Sequence, residues 1–262
     1  MSRPIIALTT DFGTGSPYVA AMKGVILSIN ADVAIVDLTH AVPPQDIRNG
    51  ALALAQVADT FPAGTIHVAV VDPGVGTERC LVYASIHGQH FVAPDNGVLD
   101  GLARHQTPDK IVVLTNPRFW RPEVSATFHG RDIMAPVAAH LSLGVDPDQL
   151  GDYQQKLTSL DWPEVRIVPG RIDGSIQSID SFGNLVTDIT EDMLGDAPRD
   201  ETVTIRCDEH ETQGIFAAYG EQPPMTLIAL VGSSGCMELA IVDDSAKIML
   251  GVAAGTPVTV TW

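Results

Sequence analysis

The chain has 262 residues, enough for one large or two modest domains with a substantial core. Its 45% hydrophobic and 18% charged residues exclude a disordered, collagen-like or coiled-coil chain. With 15 Lys and Arg against 32 Asp and Glu, the net charge of −17 repels phosphate backbones and anionic lipid, so neither nucleic acid nor membrane is an expected partner.

Residues 4–10 read as a buried strand ending on Asp11-Phe12-Gly13, and Ser16-Pro17 as the N-cap and first-turn proline of a helix. Val19, Met22, Ile26 and Ile29 form its apolar stripe, and residues 33–38 return as a strand, completing a β-α-β unit. Ile47, Ala51, Leu54, Ala58 and Phe61 mark a second helix. Residues 66–71 then form an apolar strand of the kind found in parallel sheets covered on both faces, ending on Asp72-Pro73-Gly74.

Residues 81–86 and 90–93 flank His87-Gly88 as a hairpin-like pair. A strand at 111–114 and a helix over about 132–143 complete an α/β N-terminal domain, 1–150, with a mostly parallel central sheet. Between Gly144 and Pro163 the periodicity fades, which places a linker at 151–165. Short β-rich segments at 166–172, 175–179, 185–189, 202–206, 225–231, 238–242 and 257–261 predict a smaller all-β, barrel-like C-terminal domain, 166–262, in which only 244–250 could be helical.

Cys80, Cys207 and Cys236 are widely spaced without a C-x-x-C pair, which favours a reducing cytoplasm over a disulfide framework or a zinc ribbon. The start, with Arg3 and then Asp11, does not read as a secretory leader, and no apolar run approaches the roughly 18 residues of a membrane span.

Two strands end on a carboxylate beside a glycine turn, Asp11 in T-D-F-G and Asp72 in V-V-D-P-G-V-G. Ligands of open α/β sheets sit outside the strand carboxyl ends, where Asp11 could accept from ribose hydroxyls. Each Asp could equally cap a turn. Residues 74–79 match neither G-x-G-x-x-G nor G-x-x-x-x-G-K-[ST], so a P-loop is rejected. Asp72 and Arg79 could close across the glycine turn as a charge-assisted pair, either in a site or as a loop staple.

His129, in S-A-T-F-H-G-R-D before a helix, has the densest polar company of the eight histidines and reads as a catalyst or as a hydrogen-bonded loop residue. Neither it nor His140 lies in an H-E-x-x-H or carboxylate-rich pattern, so no metal is required. S-I-D-S-F-G-N-L-V-T puts Asp180 and Asn184 at a glycine turn; the amide suits an adenine edge and the carboxylate an ammonium, and a plain hairpin fits as well. G-S-S-G-C-M-E offers Ser233 and Glu238, with no base adjacent to Ser233 to make it a nucleophile.

In this order, T-D-F-G, V-D-P-G-V-G-T-x-R, T-F-H-G-R-D, I-D-x-F-G-N-L-V-T and S-S-G-x-x-E resemble the S-adenosyl-L-methionine (SAM) hydroxide adenosyltransferases, or SAM hydrolases. That family is related to the SAM-dependent fluorinase and chlorinase. The resemblance implies a homotrimer that binds SAM between the N-terminal domain of one subunit and the C-terminal domain of its neighbour, releasing adenosine and methionine without a cofactor. By motif, Asp72, Arg79 and His129 match a water-activating triad and Asp11 the acid that grips the ribose. Asp180 and Ser233 would hold the methionine portion and Asn184 the adenine. Glu238 would be a further substrate contact and Tyr219 a stacking aromatic.

The halogenating relatives carry Tyr where this chain has Asp72 and Tyr-Ser where it has His129-Gly130, which argues for water over halide. Gln45 stands where the fluorinase has a Trp, and Gly232 where an Asn often precedes the paired serines. Competing readings are a SAM-dependent halogenase, a metal-dependent phosphohydrolase with Asp11, Asp37 and Asp72 as strand-end ligands, and a non-catalytic SAM or adenosine sensor.

Overall fold

The computed structural model describes residues 3–262; Met1 and Ser2, where the reading of the chain's start begins, lie outside the described residues. The chain divides into two compact units, one ending at Leu160 and one beginning at Asp161.

The first unit holds strands β1 (Ile5–Thr10), β2 (Ala34–Thr39), β3 (Ile66–Val70), β4 (Leu81–Ile86), β5 (Gln89–Pro94), β6 (Lys110–Leu114) and β7 (Gly151–Tyr153), in the spatial order β2-β1-β3-β5-β4-β6-β7. Its α-helices are α1 (Tyr18–Ile29), α2 (Ile47–Val57), α3 (Asp100–Ala103) and α4 (Ala135–Ser142). β1 runs parallel to β2 and β3, and β3 to β5. β4 is antiparallel to β5 and β6, and β6 to β7. The sheet is therefore mixed, which corrects the mostly parallel sheet expected from the sequence. The reversal occurs at His87 and Gly88, whose φ of 51° and 71° match the twist of a two-residue hairpin. Apolar runs report burial and leave strand direction open.

The period of two along β3 feeds both faces. Val68 and Val70 pack with Leu8, Met22, Ile26, Met134 and Val137 under α1 and α4. Ala69 joins Val71, Leu54, Val82, Phe91 and Leu102 on the side of α2 and α3. Burying each large aliphatic side chain contributes about 1.5–3 kcal/mol.

Two helix starts differ from expectation. Pro17 itself occupies the N-cap of α1, and no side chain caps it; the Ser16 hydroxyl instead donates to the Phe12 carbonyl at 3.0 Å. The helix read from Asp132 begins as a wider π turn over Gly130–Met134 before α4. The fading stretch after Gly144 contains β7, an edge strand of the first sheet.

The second unit holds β8 (Arg166–Val168), β9 (Arg171–Ile179), β10 (Leu185–Thr190), β11 (Thr204–Cys207), β12 (His210–Gln213), β13 (Ile215–Phe216), β14 (Leu227–Val231), β15 (Cys236–Ile241) and β16 (Pro257–Thr261). Their order is β12-β11-β16-β9-β10-β15-β14-β13, with β8 beside β9. The far ends approach, with the Thr212 hydroxyl of β12 donating to the Leu227 carbonyl of β14 at 2.7 Å, so the sheet is nearly barrel-shaped. Ile172, Ile176, Leu185, Leu239 and Val258 fill it. It is also mixed, since β13 runs parallel to β14.

The unit is not all-β. Alongside α6 (Ala246–Leu250), within the segment read as possibly helical, it holds α5 (Glu191–Leu194). The Thr190 hydroxyl caps α5 by accepting from the Met193 N–H, a signal too short for periodicity to reveal.

Candidate active site

Asp72 lies just beyond the end of β3, and Arg79 just before β4. Because β4 runs opposite to β3 and β5, its start and the end of β3 meet at the same sheet end. Between them, Val75 N donates to the Asp72 carbonyl at 3.2 Å and Thr77 N to the Gly74 carbonyl at 3.1 Å, folding the loop into successive turns. Arg79 Nε donates to Asp72 Oδ1 at 2.8 Å and Nη2 to Oδ2 at 2.5 Å. Both side chains are largely buried, 11% and 5% exposed, so the bidentate pair is shielded from solvent screening.

Arg79 Nη2 also donates to His129 Nδ1 at 2.9 Å. A guanidinium carries donors alone, so Nδ1 is the acceptor and the neutral ring holds its proton on Nε2. Burial and the Arg79 charge keep the imidazole below its ordinary pKa, against the opposing pull of Asp72 and Asp132.

The loop bearing His129 is organised by Asp132, which is fully buried. It accepts from Arg121 Nη1 at 2.8 Å, Arg131 Nε at 2.7 Å and the Ser125 N–H at 2.9 Å. Burial would raise its pKa, but the hydrogen bonds from Arg131, Ser125 and Arg121 hold it at about 2. The two loops touch at Gly76, with φ 79°, where a Cβ would lie 2.4 Å from the Ala126 carbonyl oxygen.

Asp11, Asp72 and His129 line one cavity of about 250 Å³, with Phe12, Gln45 and Phe128 among its walls. Arg79 stands behind Asp72, outside the lining. Asp11 Oδ2 accepts from the Gln45 N–H at 2.8 Å, and Gln45 adopts φ 66°. Phe12, Tyr18 and Phe128 form a mutual aromatic cluster with centroids 5.2–5.7 Å apart. Asp37 is absent from the cavity lining and is engaged by Lys23 at 2.6 Å. Among the described residues, no three His, Cys, Asp or Glu side chains gather as a metal-ligand set.

In the second unit, Asp180 and Asn184 share one turn. Asp180 Oδ1 accepts from the Asn184 N–H at 2.8 Å and Oδ2 from Asn184 Nδ2 at 2.9 Å. The Tyr219 hydroxyl donates to Glu238 Oε2 at 2.8 Å. Burial, then Glu238, pushes the tyrosine up to about 12. Glu238 lies inside β15 and is buried, with Gly232 leaving it room: a Cβ there would sit 1.9 Å from Oε1. Ser233 is exposed in the turn before β15.

The sequence reading missed the cavity walls Phe12 and Phe128 and the organising Asp132; Gln45, singled out where the fluorinase has a Trp, also lines the cavity. Asp132 carried a signal, an acid directly after Arg131 in the same motif as His129.

A mixed α/β unit with a charge-paired carboxylate and a neutral imidazole at one sheet end, joined to a β-rich unit, is the class of protein these features define. Residues 6–151 match the SAM hydroxide adenosyltransferase N-terminal domain and residues 174–259 its C-terminal domain, so the chain belongs to the SAM hydroxide adenosyltransferase family. It is similar to an (R)-S-adenosyl-L-methionine hydrolase of Salinispora arenicola, 37% identical over 99% of this chain and 98% of that protein. A fluorinase of Actinopolyspora mzabensis is 31% identical over 75% of each chain. The crystal structure of an uncharacterized conserved protein from Thermotoga maritima superposes with a TM-score of 0.93 at 33% identity, covering 98% of this chain and all of that one.

Proposed function

We propose that the protein hydrolyses SAM to adenosine and L-methionine by attack of water at C5′ of the ribose. The observation that carries this reading is the single Arg79 nitrogen that donates to both Asp72 and His129 beside the cavity. The (R) in the relative's name makes the (R)-sulfonium the stereoisomer to test first.

The sulfonium supplies its own leaving group, since methionine departs as a neutral thioether. The protein has only to position water and remove a proton. With the His129 proton on Nε2, that ring is a donor and holds the water oxygen. Asp72, whose oxygens retain lone pairs beyond those given to Arg79, accepts a water proton. The O–C5′ bond forms as the C5′–S pair leaves on sulfur, and the proton passes through Asp72 to solvent. Arg79 holds Asp72 oriented through its two hydrogen bonds. Asp11 grips the ribose hydroxyls, Asp180 and Ser233 hold the methionine portion, Asn184 the adenine, with Glu238 a further contact and Tyr219 a stacking aromatic.

The same reading has 1–150 and 166–262 as domains joined at 151–165, in a cytoplasmic homotrimer whose sites are each completed by a neighbouring subunit, with no metal or other cofactor required. Sedimentation tests the assembly and EDTA the metal. Among the described residues, no helix is long and apolar enough to cross a membrane.

Incubation with SAM in ¹⁸O-water tests substrate, bond and nucleophile together. Adenosine labelled at the 5′-hydroxyl is expected. Intact SAM, or 5′-haloadenosine in the presence of halide, would overturn the reading.

A further inference from the structure

We propose that His40 is a positioning residue for Asp11, acting through the buried Thr10 hydroxyl. The inference rests on the ribose-gripping role proposed for Asp11 and deepens it.

Asp11 enters the cavity wall from the end of β1, and the backbone beside it is tied from behind. Thr10 is fully buried. Its Oγ1 lies 2.9 Å from His40 Nδ1 and accepts from the Phe12 N–H at 3.2 Å. The His40 carbonyl accepts from the Gly13 N–H at 2.8 Å. On the far side of the ring, His40 Nε2 lies 3.0 Å from Asp37 Oδ1 in an electrostatic contact without hydrogen-bond geometry, and Asp37 Oδ2 accepts from Lys23 Nζ at 2.6 Å.

The negative Asp37 carboxylate beside Nε2 favours the tautomer that carries its proton there. Nδ1 is then the acceptor, and the Thr10 O–H must donate to it. The free lone pair of Thr10 Oγ1 faces the Phe12 N–H. Both amides following Asp11 are thereby held by His40, Phe12 through Thr10 and Gly13 directly. Tautomer and hydroxyl direction thus reach the cavity as the angle at which Asp11 is presented.

The Thr10–His40–Asp37 order also resembles a nucleophile, base and acid. Burial decides against that, because a hydroxyl with 0% exposed surface meets no substrate.

The test compares Thr10→Val, which keeps shape and removes the hydroxyl, with Thr10→Ser, which keeps the hydroxyl. Thr10→Val is expected to raise KM for SAM about fivefold, the size of one net hydrogen bond, with a smaller change in kcat. It should also speed amide exchange at Phe12 and Gly13 while earlier β1 amides stay protected. Thr10→Ser should stay within about twofold of wild type on both readouts. On an Asp11→Ala background, Thr10→Val should change KM no further.

Wild-type KM and exchange in Thr10→Val would overturn the proposal. So would an effect that persists without Asp11, since it would mark a merely structural role. If Thr10→Val does not fold, His40→Phe, which keeps the ring and loses the acceptor, is read in the same way. If the wild-type protein releases no adenosine from SAM, the hydrolase reading falls by itself, and unchanged exchange at Phe12 and Gly13 then overturns this one.

Discussion

Gly76 approaches Ala126 so closely that a single added methyl would lie 2.4 Å from the Ala126 carbonyl oxygen. This contact joins the loop carrying Asp72 and Arg79 to the loop carrying His129. Gly76→Ala should push the loops apart and break the Arg79–His129 hydrogen bond. Since a displacement of about 1 Å can cost about 100-fold, kcat/KM is expected to fall by that order. The left-handed φ adds about 1 kcal/mol of destabilisation, readable by thermal unfolding. Wild-type kinetics in Gly76→Ala would show that the spacing of the loops is irrelevant.

Asp72→Asn preserves shape but removes the proton acceptor assigned to the water. Turnover should drop by about 10²–10⁴-fold, while adenosine affinity measured by calorimetry changes little. A variant with full turnover would reassign the base.

The neutral state of His129 predicts an acid limb in the rate profile. Protonating Nδ1 would set its new hydrogen against Arg79, so kcat/KM should fall as the pH drops through the folded pKa. Burial and Arg79 place that pKa below 6.5, and the limb's midpoint should lie below 6.5 as well. A midpoint above that value would contradict the assignment.

His67 gives a separate handle on stability. It is buried and stacked on Phe91 at 4.9 Å, and neither ring nitrogen is hydrogen-bonded among the described residues. Burial lowers its pKa from 6.5 to about 4. Between those values the unfolded state binds more protons, so stability is full above 6.5 and falls as the pH drops toward 4, by about 3 kcal/mol at most. His67→Phe should flatten that loss in urea titrations at successive pH values. An unchanged slope would place the acid sensitivity elsewhere.

In the second unit, Tyr219 is held protonated by burial and by Glu238, titrating at about 12. Glu238→Gln should bring its ultraviolet titration down toward 10. Gly232→Ala should act similarly by displacing the Glu238 carboxylate. No movement in either variant would mean that the Tyr219–Glu238 hydrogen bond does not form in solution.

Strands β1 to β3, and the carboxylates beyond the ends of β1 and β3, were legible because burial, periodicity and glycine turns are local signals. The Asp72–Arg79 contact was legible from spacing, though spacing left a site and a loop staple equally open. His129 joins them from 50 positions away, a distance no local pattern bridges. The antiparallel β4–β5 pair was legible at His87-Gly88, while the directions of β6 and β7 were hidden, since they depend on edges that only assembled strands possess. β12 and β13 escaped because they are short and their polar residues break the apolar alternation. The burial of Glu238 was likewise hidden, because the room for it comes from Gly232 across a turn.

The direction of β4, opposite to β3, has an outcome beyond topology. Had β4 followed β3 in the same sense, its first residue would have emerged at the opposite rim, and a guanidinium there could not have met Asp72. Because β4 runs back against β3, the short loop between them holds carboxylate and guanidinium at the same rim, anchored by the sheet at both ends. A pair built this way is held by the sheet itself, so the favourable contacts of an arriving nucleoside remain free to align its sulfur.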